Sequence, residues 1–162
     1  PETLGKDMEG WEGEKWLDIR RINLLAPVMQ ARLNLAVDKG CDGVDPDNVN
    51  GYSNETGFPL TSEDQLDYNI WLAQSAHERG LAIGLKNDIE QIPDLLPYFD
   101  WELNEECFAY NECTLLLPFV EAGKPVFTIE YDLTTDEFCT QANEMGIISI
   151  RKNINQDEYM ES

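Results

Sequence analysis

Residues 40–48 read Gly-Cys-Asp-Gly-Val-Asp-Pro-Asp-Asn, and this stretch decides the fold. A helical pattern ends at Gly40, a short apolar strand follows, and carboxylates come directly after the strand. Glycine readily ends a helix, and aspartates that flank a proline suit the rim of a sheet better than its interior. The same order of helix, glycine, apolar strand and polar residues recurs at Gly80, Gly123 and Gly146. Such repeated units predict an α/β fold with a parallel sheet.

The apolar segments predict about six strands, centred near Leu17, Val44, Ile83, Leu103, Phe127 and Ile148. A closed β/α barrel needs about eight strands. The residues therefore leave two architectures open, an open six-stranded sheet or part of a barrel whose first strands are not in this chain. A dinucleotide-binding fold is disfavoured because no Gly-x-Gly-x-x-Gly motif follows a strand.

Two helices are predicted from the spacing of their residues. The first spans Asn23 to Lys39, and its apolar stripe contains Val28, Ala31, Leu35 and Ala36. The second begins at the N-cap Thr61 and stops by Gly80, and Leu66, Ile70, Ala73 and His77 fall on one of its faces.

Length and charge restrict the classes of function. At 162 residues, the chain has the size of one domain, which we expect to span residues 1–162. A net charge of −21 argues against binding to nucleic acid or to an anionic membrane surface. The charge fits a cationic partner, a calcium-rich setting or solubility alone. No apolar run approaches the roughly 18 residues of a membrane span. We expect Pro1 to be a mature or trimmed start, because the residues that follow it do not resemble a signal segment.

The cysteines and one sequon favour a secreted glycoprotein. The chain has 4 cysteines and a single histidine, without a Cys-x-x-Cys pair, so a zinc site is not predicted. Asn54 begins the sequence Asn-Glu-Thr and is a candidate for glycosylation. An even number of cysteines in a strongly acidic chain indicates an oxidising compartment.

Carboxylates at two strand ends are the candidates for catalysis. Asp45 and Asp47 would point the same way in an extended strand, and Glu105 and Glu106 end a different strand. Two facing carboxylates are what glycoside hydrolysis requires. Three alternatives stay open: helix caps and solvated loops, a divalent cation bound by the aspartates of a transferase, and a Ser/His/Asp triad. The triad would need His77, which on a helix face is better explained by packing or exposure.

Polar side chains follow two further strands. Lys86 and Asn87 come directly after the strand near Ile83, and Glu130 and Tyr131 come after the strand near Phe127. These side chains could hydrogen-bond sugar hydroxyls, and Lys86 could instead neutralise nearby acids. Among the tryptophans, Trp11 is the best candidate for a sugar-stacking platform.

Five motifs together resemble a known family. They are residues 10–20 (Gly-Trp-Glu-Gly-Glu-Lys-Trp-Leu-Asp-Ile-Arg), residues 41–48, residues 56–60 (Thr-Gly-Phe-Pro-Leu), residues 84–88 (Gly-Leu-Lys-Asn-Asp) and residues 104–107 (Asn-Glu-Glu-Cys). In this order they look like glycoside hydrolase family 114, the endo-α-1,4-polygalactosaminidase family. The resemblance covers about residues 10–132.

The resemblance implies a (β/α)8 TIM barrel of which this chain covers about strands 3–8, with the first two strands missing. It implies hydrolysis within an α-1,4-linked galactosamine polysaccharide, with Asp47 as nucleophile, Glu105 as acid/base and a retaining outcome. We expect no cofactor and no metal. The expected sugar-binding residues are Trp11, Asp18, Asp45, Asn48, Lys86, Asn87, Glu130 and Tyr131.

The resemblance carries three further expectations. Non-acetylated galactosamine is cationic, so an acidic groove would attract this polysaccharide and lose affinity with salt. Cys107 and Cys113 are expected to form a disulfide, whereas Cys41 and Cys139 are unassigned. The alternative function, from another class, is a non-catalytic carbohydrate-binding or surface protein derived from this fold.

Overall fold

The computed structural model describes residues 2–155 and 157–162, so the expected trimmed start at Pro1 lies outside the described residues. The chain divides into two compact units, Pro1–Ile83 and Gly84–Ser162. Within the described part of the chain, no helix is both long enough and apolar enough to cross a membrane.

The first unit opens with a hairpin that the sequence did not predict. Strand β1 (Leu4–Asp7) pairs antiparallel with strand β2 (Lys15–Leu17). The prediction that the segment near Leu17 joins the parallel sheet is therefore wrong. The reason is local, since the backbone of β2 is hydrogen-bonded by β1 and the next amide, of Asp18, donates to the carbonyl of Thr3 at 2.9 Å.

Helix α1 (Ile22–Asp38) forms within one residue of its predicted bounds, but the predicted buried face is wrong. Leu25 and Leu33 are buried, whereas Val28 and Leu35 are more than half exposed. The helix carries two apolar stripes at helical spacing, and periodicity alone cannot tell which stripe packs. Gly40 ends the turn after the helix with φ +76°, as predicted.

Strand β3 (Gly43–Val44) and helix α2 (Ser62–His77) complete the first unit. Thr61 caps α2 as predicted, because its hydroxyl accepts from the amide of Asp64 at 3.1 Å and the Asp64 carboxylate accepts from the Thr61 amide at 2.8 Å. His77 is exposed. The buried residues of α2 are Gln65, Tyr68, Asn69, Leu72, Ala73, Ser75 and Ala76, and they include only Ala73 of the four residues predicted to share one face.

Two polar members of that face, Gln65 and Asn69, make hydrogen bonds inside the core. The Gln65 amide donates to the Asn69 side-chain oxygen at 2.9 Å, and the Asn69 amide donates to the carbonyl of Val49 at 3.0 Å. Buried polar groups are tolerated when they are hydrogen-bonded in this way.

Strands and helices alternate through the rest of the chain. In order they are β4 (Ala82–Lys86), α3 (Ile92–Leu95), β5 (Trp101–Glu105), α4 (Leu117–Glu121), β6 (Val126–Glu130), α5 (Thr135–Met145) and β7 (Ile148–Arg151). Strands β3 to β7 pair in parallel and in chain order. The predicted α/β class with a parallel sheet is confirmed.

The number of parallel strands is smaller than predicted. The described residues form five parallel strands rather than six, and β3 and β7 do not pair with each other to close a barrel. The difference is the segment near Leu17, which belongs to the hairpin.

In the second unit, helices α3 to α5 contribute the buried side chains that cover the strands, among them Ile92, Leu95, Phe119 and Phe138. Cys107 and Cys113 form the predicted disulfide, which closes a short loop directly after β5. Cys41 and Cys139 are free thiols.

Candidate active site

Three side chains converge on Glu105 at the carboxyl end of β5. The Lys86 ammonium lies 2.6 Å from Oε2 of Glu105, although Lys86 is only 5% exposed. The Tyr131 hydroxyl donates to the other carboxylate oxygen, Oε1. Both carboxylate oxygens therefore receive a donor from a neighbouring strand end.

The Asn87 side chain holds the backbone of Glu105. The amide of Glu105 donates to the side-chain oxygen of Asn87 at 2.9 Å, and the Asn87 Nδ2 lies 3.4 Å from Oε2 of Glu105. Parallel pairing explains the convergence, because Lys86 pairs with Leu103 and Glu105 with Ile129 in the ladder. The carboxyl ends of adjacent parallel strands thus meet at one edge.

These contacts determine the charge of Glu105. Burial raises the pKa of this carboxyl, but the hydrogen bonds from Lys86 and Tyr131, with the Lys86 charge, outweigh burial and leave the pKa below its ordinary value. Glu105 is therefore an ionised carboxylate at neutral pH, which is the form that a nucleophile or a general base requires.

The next carboxylate, Glu106, has the opposite environment. Its backbone is left-handed, with φ +64°, and its side chain is half-buried. Burial and then the charges of Asp132 and Glu105 raise the pKa of Glu106 above its ordinary value. Two adjacent glutamates are thus held in different electrostatic environments by their neighbours.

Glu130 is not available to sugar, contrary to the sequence prediction. Its side chain is fully buried, and its two oxygens accept from the amides of Phe108 at 2.9 Å and Ala109 at 3.3 Å. Burial raises the pKa of Glu130 against the lowering effect of these amides. The residue anchors the loop closed by the Cys107–Cys113 disulfide.

Asp45, Asp47 and Asn48 follow β3 in the first unit, and all three are exposed. They line a cavity of about 760 Å³. Other residues that line it are Leu17, Met29, Leu33, Val44, Tyr68 and Leu72. Burial raises the pKa of Tyr68 to about 12, so the phenol at this wall stays neutral. The cavity thus combines an apolar wall with charged side chains, namely the carboxylates of Glu14, Asp45 and Asp47 and the cationic groups of Lys15 and Arg32.

Asp18 is also withdrawn from sugar binding, contrary to the prediction. It is buried, and the Arg20 guanidinium donates to both of its oxygens, at 2.7 and 2.9 Å. These bonds outweigh burial and hold the pKa of Asp18 below its ordinary value. Arg20 in turn lies over the ring of Phe58, 5.9 Å from its centroid, so Asp18 belongs to a structural cluster.

The predicted residues thus fall into three groups. Lys86, Asn87 and Tyr131 surround Glu105 in the second unit. Asp45, Asp47 and Asn48 share a cavity in the first unit. Trp11 and the sequon residue Asn54 line a groove of the first unit to which Asn48 also contributes. Among the described residues, no cluster of three or more His, Cys, Asp or Glu side chains has the geometry of a metal site.

The model of the family described as "Glycoside-hydrolase family GH114" matches residues 1–162. The chain belongs to this family. The resemblance inferred from the motifs is confirmed, and the GH114 chain is a glycoside hydrolase. No match was found among curated proteins.

Solved structures support the assignment to GH114. The chain is 41% identical to Aspergillus fumigatus Ega3, whose crystal structure is a complex with galactosamine, with a TM-score of 0.92 over 99% of this chain and 68% of that one. It also resembles a variant of the glycoside hydrolase domain of PelA from Pseudomonas aeruginosa, at 13% identity and a TM-score of 0.69 over 99% of this chain and 72% of that one. The second likeness shows a shared fold.

Sequence reasoning did not single out Asp132, whose charge adds to burial in raising the pKa of Glu106. The signal was present, since Asp132 follows β6 closely, as Glu106 follows β5. The influence of Asp132 on the pKa of Glu106 depends on the pairing of β5 with β6, which a single strand's sequence does not give.

Proposed function

We propose that this GH114 protein hydrolyses α-1,4 linkages within a galactosamine-containing polysaccharide, with Asp47 and Glu105 as its two carboxylates. The observation that carries the proposal is the environment of Glu105, whose two oxygens accept from Lys86 and Tyr131 at a strand end. The 41% identity to a protein crystallised with galactosamine supports the substrate class. The resemblance of residues 41–48 to a motif of the family supports Asp47 as the second carboxylate.

We propose a retaining mechanism in which Glu105 is the nucleophile. Its carboxylate attacks the anomeric carbon and forms a glycosyl–enzyme ester, while Asp47 gives its proton to the leaving glycosidic oxygen. Asp47 then takes a proton from water, which attacks the anomeric carbon and frees Glu105. The motif resemblance implied the reverse order of roles. The ion pair with Lys86 favours Glu105 as the nucleophile, because it opposes protonation of the Glu105 carboxylate.

Hydrolysis of the polymer tests this function directly. We expect the protein to release new reducing ends from α-1,4-linked polygalactosamine and to lower the polymer's mean length early in the reaction, as an endo-acting enzyme does. Replacing Asp47 by Asn is expected to lower the rate by roughly 100-fold or more. Asp67→Asn, at an exposed position on α2, is the matched control. An Asp47→Asn variant with wild-type turnover would contradict the assignment.

We also propose that the substrate is cationic, since partly deacetylated galactosamine carries ammonium groups that suit a chain of net charge −21. Raising NaCl from about 0.05 to about 0.5 M shortens the Debye length to less than half. We expect this change to raise KM for the deacetylated polymer roughly three- to tenfold. The N-acetylated polymer is the uncharged control. An equal response of the two polymers to salt would refute the electrostatic contribution.

We propose that the protein acts outside the cell. The Cys107–Cys113 disulfide supports an oxidising compartment.

A further inference from the structure

A polar groove of about 420 Å³ lies between the β1–β2 loop and the segment that follows β3. We call it the Trp groove. Its walls include the rings of Trp11 and Trp16 and the side chains of three asparagines, Asn48, Asn50 and Asn54. Aromatic surface combined with amides that both donate and accept is suited to a ligand with apolar faces and many hydroxyls.

Trp11 is an exposed but well-positioned platform in this groove. The residue is 51% exposed. Its loop is closed by three backbone hydrogen bonds, from Met8 to Glu14 at 2.9 Å, from Trp11 to Met8 at 3.2 Å and from Glu14 to Trp11 at 3.1 Å. A large aromatic side chain on an ordered loop loses little conformational entropy when a ligand stacks on it.

The charges of the Trp groove favour a cation. Two of its acids are ion-paired, Asp7 with Lys15 and Glu55 with Lys6. Glu9 has no ion-pair partner among the described residues of the chain. The groove therefore keeps a negative charge beside Trp11, and a cation over an indole face gains further attraction.

The groove also adjoins the segment that carries Asp47. Asn48 lines both the Trp groove and the 760 Å³ cavity at whose rim Asp47 lies. The Asn48 side-chain nitrogen is 3.4 Å from the sulfur of Met8, a contact between the groove's two walls. A polymer bound near Asp47 can thus continue past Asn48 into the groove.

We propose that the Trp groove binds a protonated, non-acetylated hexosamine unit of the substrate polymer, separate from the bond that is cleaved. This inference rests on the proposed function. The apolar face of the sugar ring stacks on Trp11, the asparagines hydrogen-bond its hydroxyls, and Glu9 pairs with its ammonium group. An N-acetylated unit lacks that charge and binds the groove more weakly.

The test compares short and long oligomers of α-1,4-linked galactosamine. We expect Trp11→Ala to lower kcat/KM for long oligomers about tenfold and to leave the shortest cleaved oligomer within about twofold of wild type. Trp11→Phe keeps an aromatic face and is expected to retain most of the activity. Glu9→Gln is expected to reduce the preference for deacetylated over N-acetylated long oligomers. Tyr110→Ala, at a residue that is 67% exposed in the second unit, is the matched aromatic control.

Binding is measured in parallel by titrating long oligomers into wild type and Trp11→Ala. The affinity then tests the Trp groove independently of hydrolysis. About tenfold weaker binding by Trp11→Ala supports the proposal. Unchanged binding overturns it, as does an equal loss of kcat/KM on short and long oligomers. A glycan found on Asn54 of the active enzyme also overturns it, because the glycan would occupy the groove. Failure of the proposed function is a separate result, the absence of hydrolysis by wild type.

Discussion

Replacing Glu105 by Gln is expected to lower kcat on polygalactosamine by roughly 10³- to 10⁵-fold. The substitution keeps the size of the side chain but removes the negative charge that attacks the anomeric carbon. It also leaves the Lys86 ammonium, only 5% exposed, without the carboxylate that lies 2.6 Å away. Reducing-end release and oligomer binding are measured on the same preparation, and binding is expected to change far less than turnover.

Glu121→Gln is the matched control for that variant, because Glu121 is exposed on α4 in the same unit. We expect it to retain wild-type turnover. Melting temperatures of both variants show whether the fold is intact. A Glu105→Gln enzyme that keeps more than a tenth of wild-type kcat would exclude Glu105 as the nucleophile.

Replacing Lys86 by Met is expected to shift the acid limb of the pH profile of kcat/KM to higher pH. In the wild type, Lys86 contributes to a pKa of Glu105 below its ordinary value, whereas burial raises that pKa. Without the ammonium, burial dominates and Glu105 becomes protonated at a higher pH. Because attack requires the ionised form, activity is lost at a pH where the wild type still works, and we expect roughly 100-fold lower kcat/KM at mildly acidic pH.

The direction of this shift separates the two possible roles. If Glu105 were the proton donor, the raised pKa of Glu105 would move the basic limb of the profile to higher pH, and activity would persist there. Lys39→Met removes a lysine charge at an exposed residue beyond the end of α1, and its profile should match the wild type. A Lys86→Met enzyme with an unshifted acid limb would contradict the proposed role of the ion pair.

The strand ends that meet at Glu105 could be predicted, because their proximity follows from the topology of the sheet. Apolar strands that alternate with helices predict a parallel sheet, and the carboxyl ends of adjacent parallel strands meet at one edge. Lys86, Asn87 and Tyr131 follow two such strands and do surround Glu105. The order of the elements was therefore enough to bring these residues together.

Glu130 was predicted to bind sugar beside Tyr131, but its side chain is fully buried. Side chains alternate between the two faces of a strand. Glu105 pairs with Ile129 in the ladder, so Tyr131 shares the face of Glu105 and Glu130 points to the other. A shift of one residue in register would exchange them, and the sequence of a single strand does not contain the register.

Asp18 and the hairpin were misjudged for a related reason. The partner of β2 is the short segment Leu4–Asp7, whose sequence has little strand character. Nor does the sequence show that Arg20 folds back onto Asp18 and withdraws it from solvent. Both features depend on contacts that periodicity does not record.

The configuration of an azide adduct tests the central claim, that Glu105 is the nucleophile of a retaining hydrolase, most directly. Glu105→Ala is incubated with azide and an activated α-galactosaminide, and the product is assigned by NMR. If Glu105 is the nucleophile, azide occupies its place, attacks the substrate directly and gives the β-glycosyl azide. The α-glycosyl azide would contradict the claim, because it forms when azide attacks a glycosyl–enzyme made by another carboxylate.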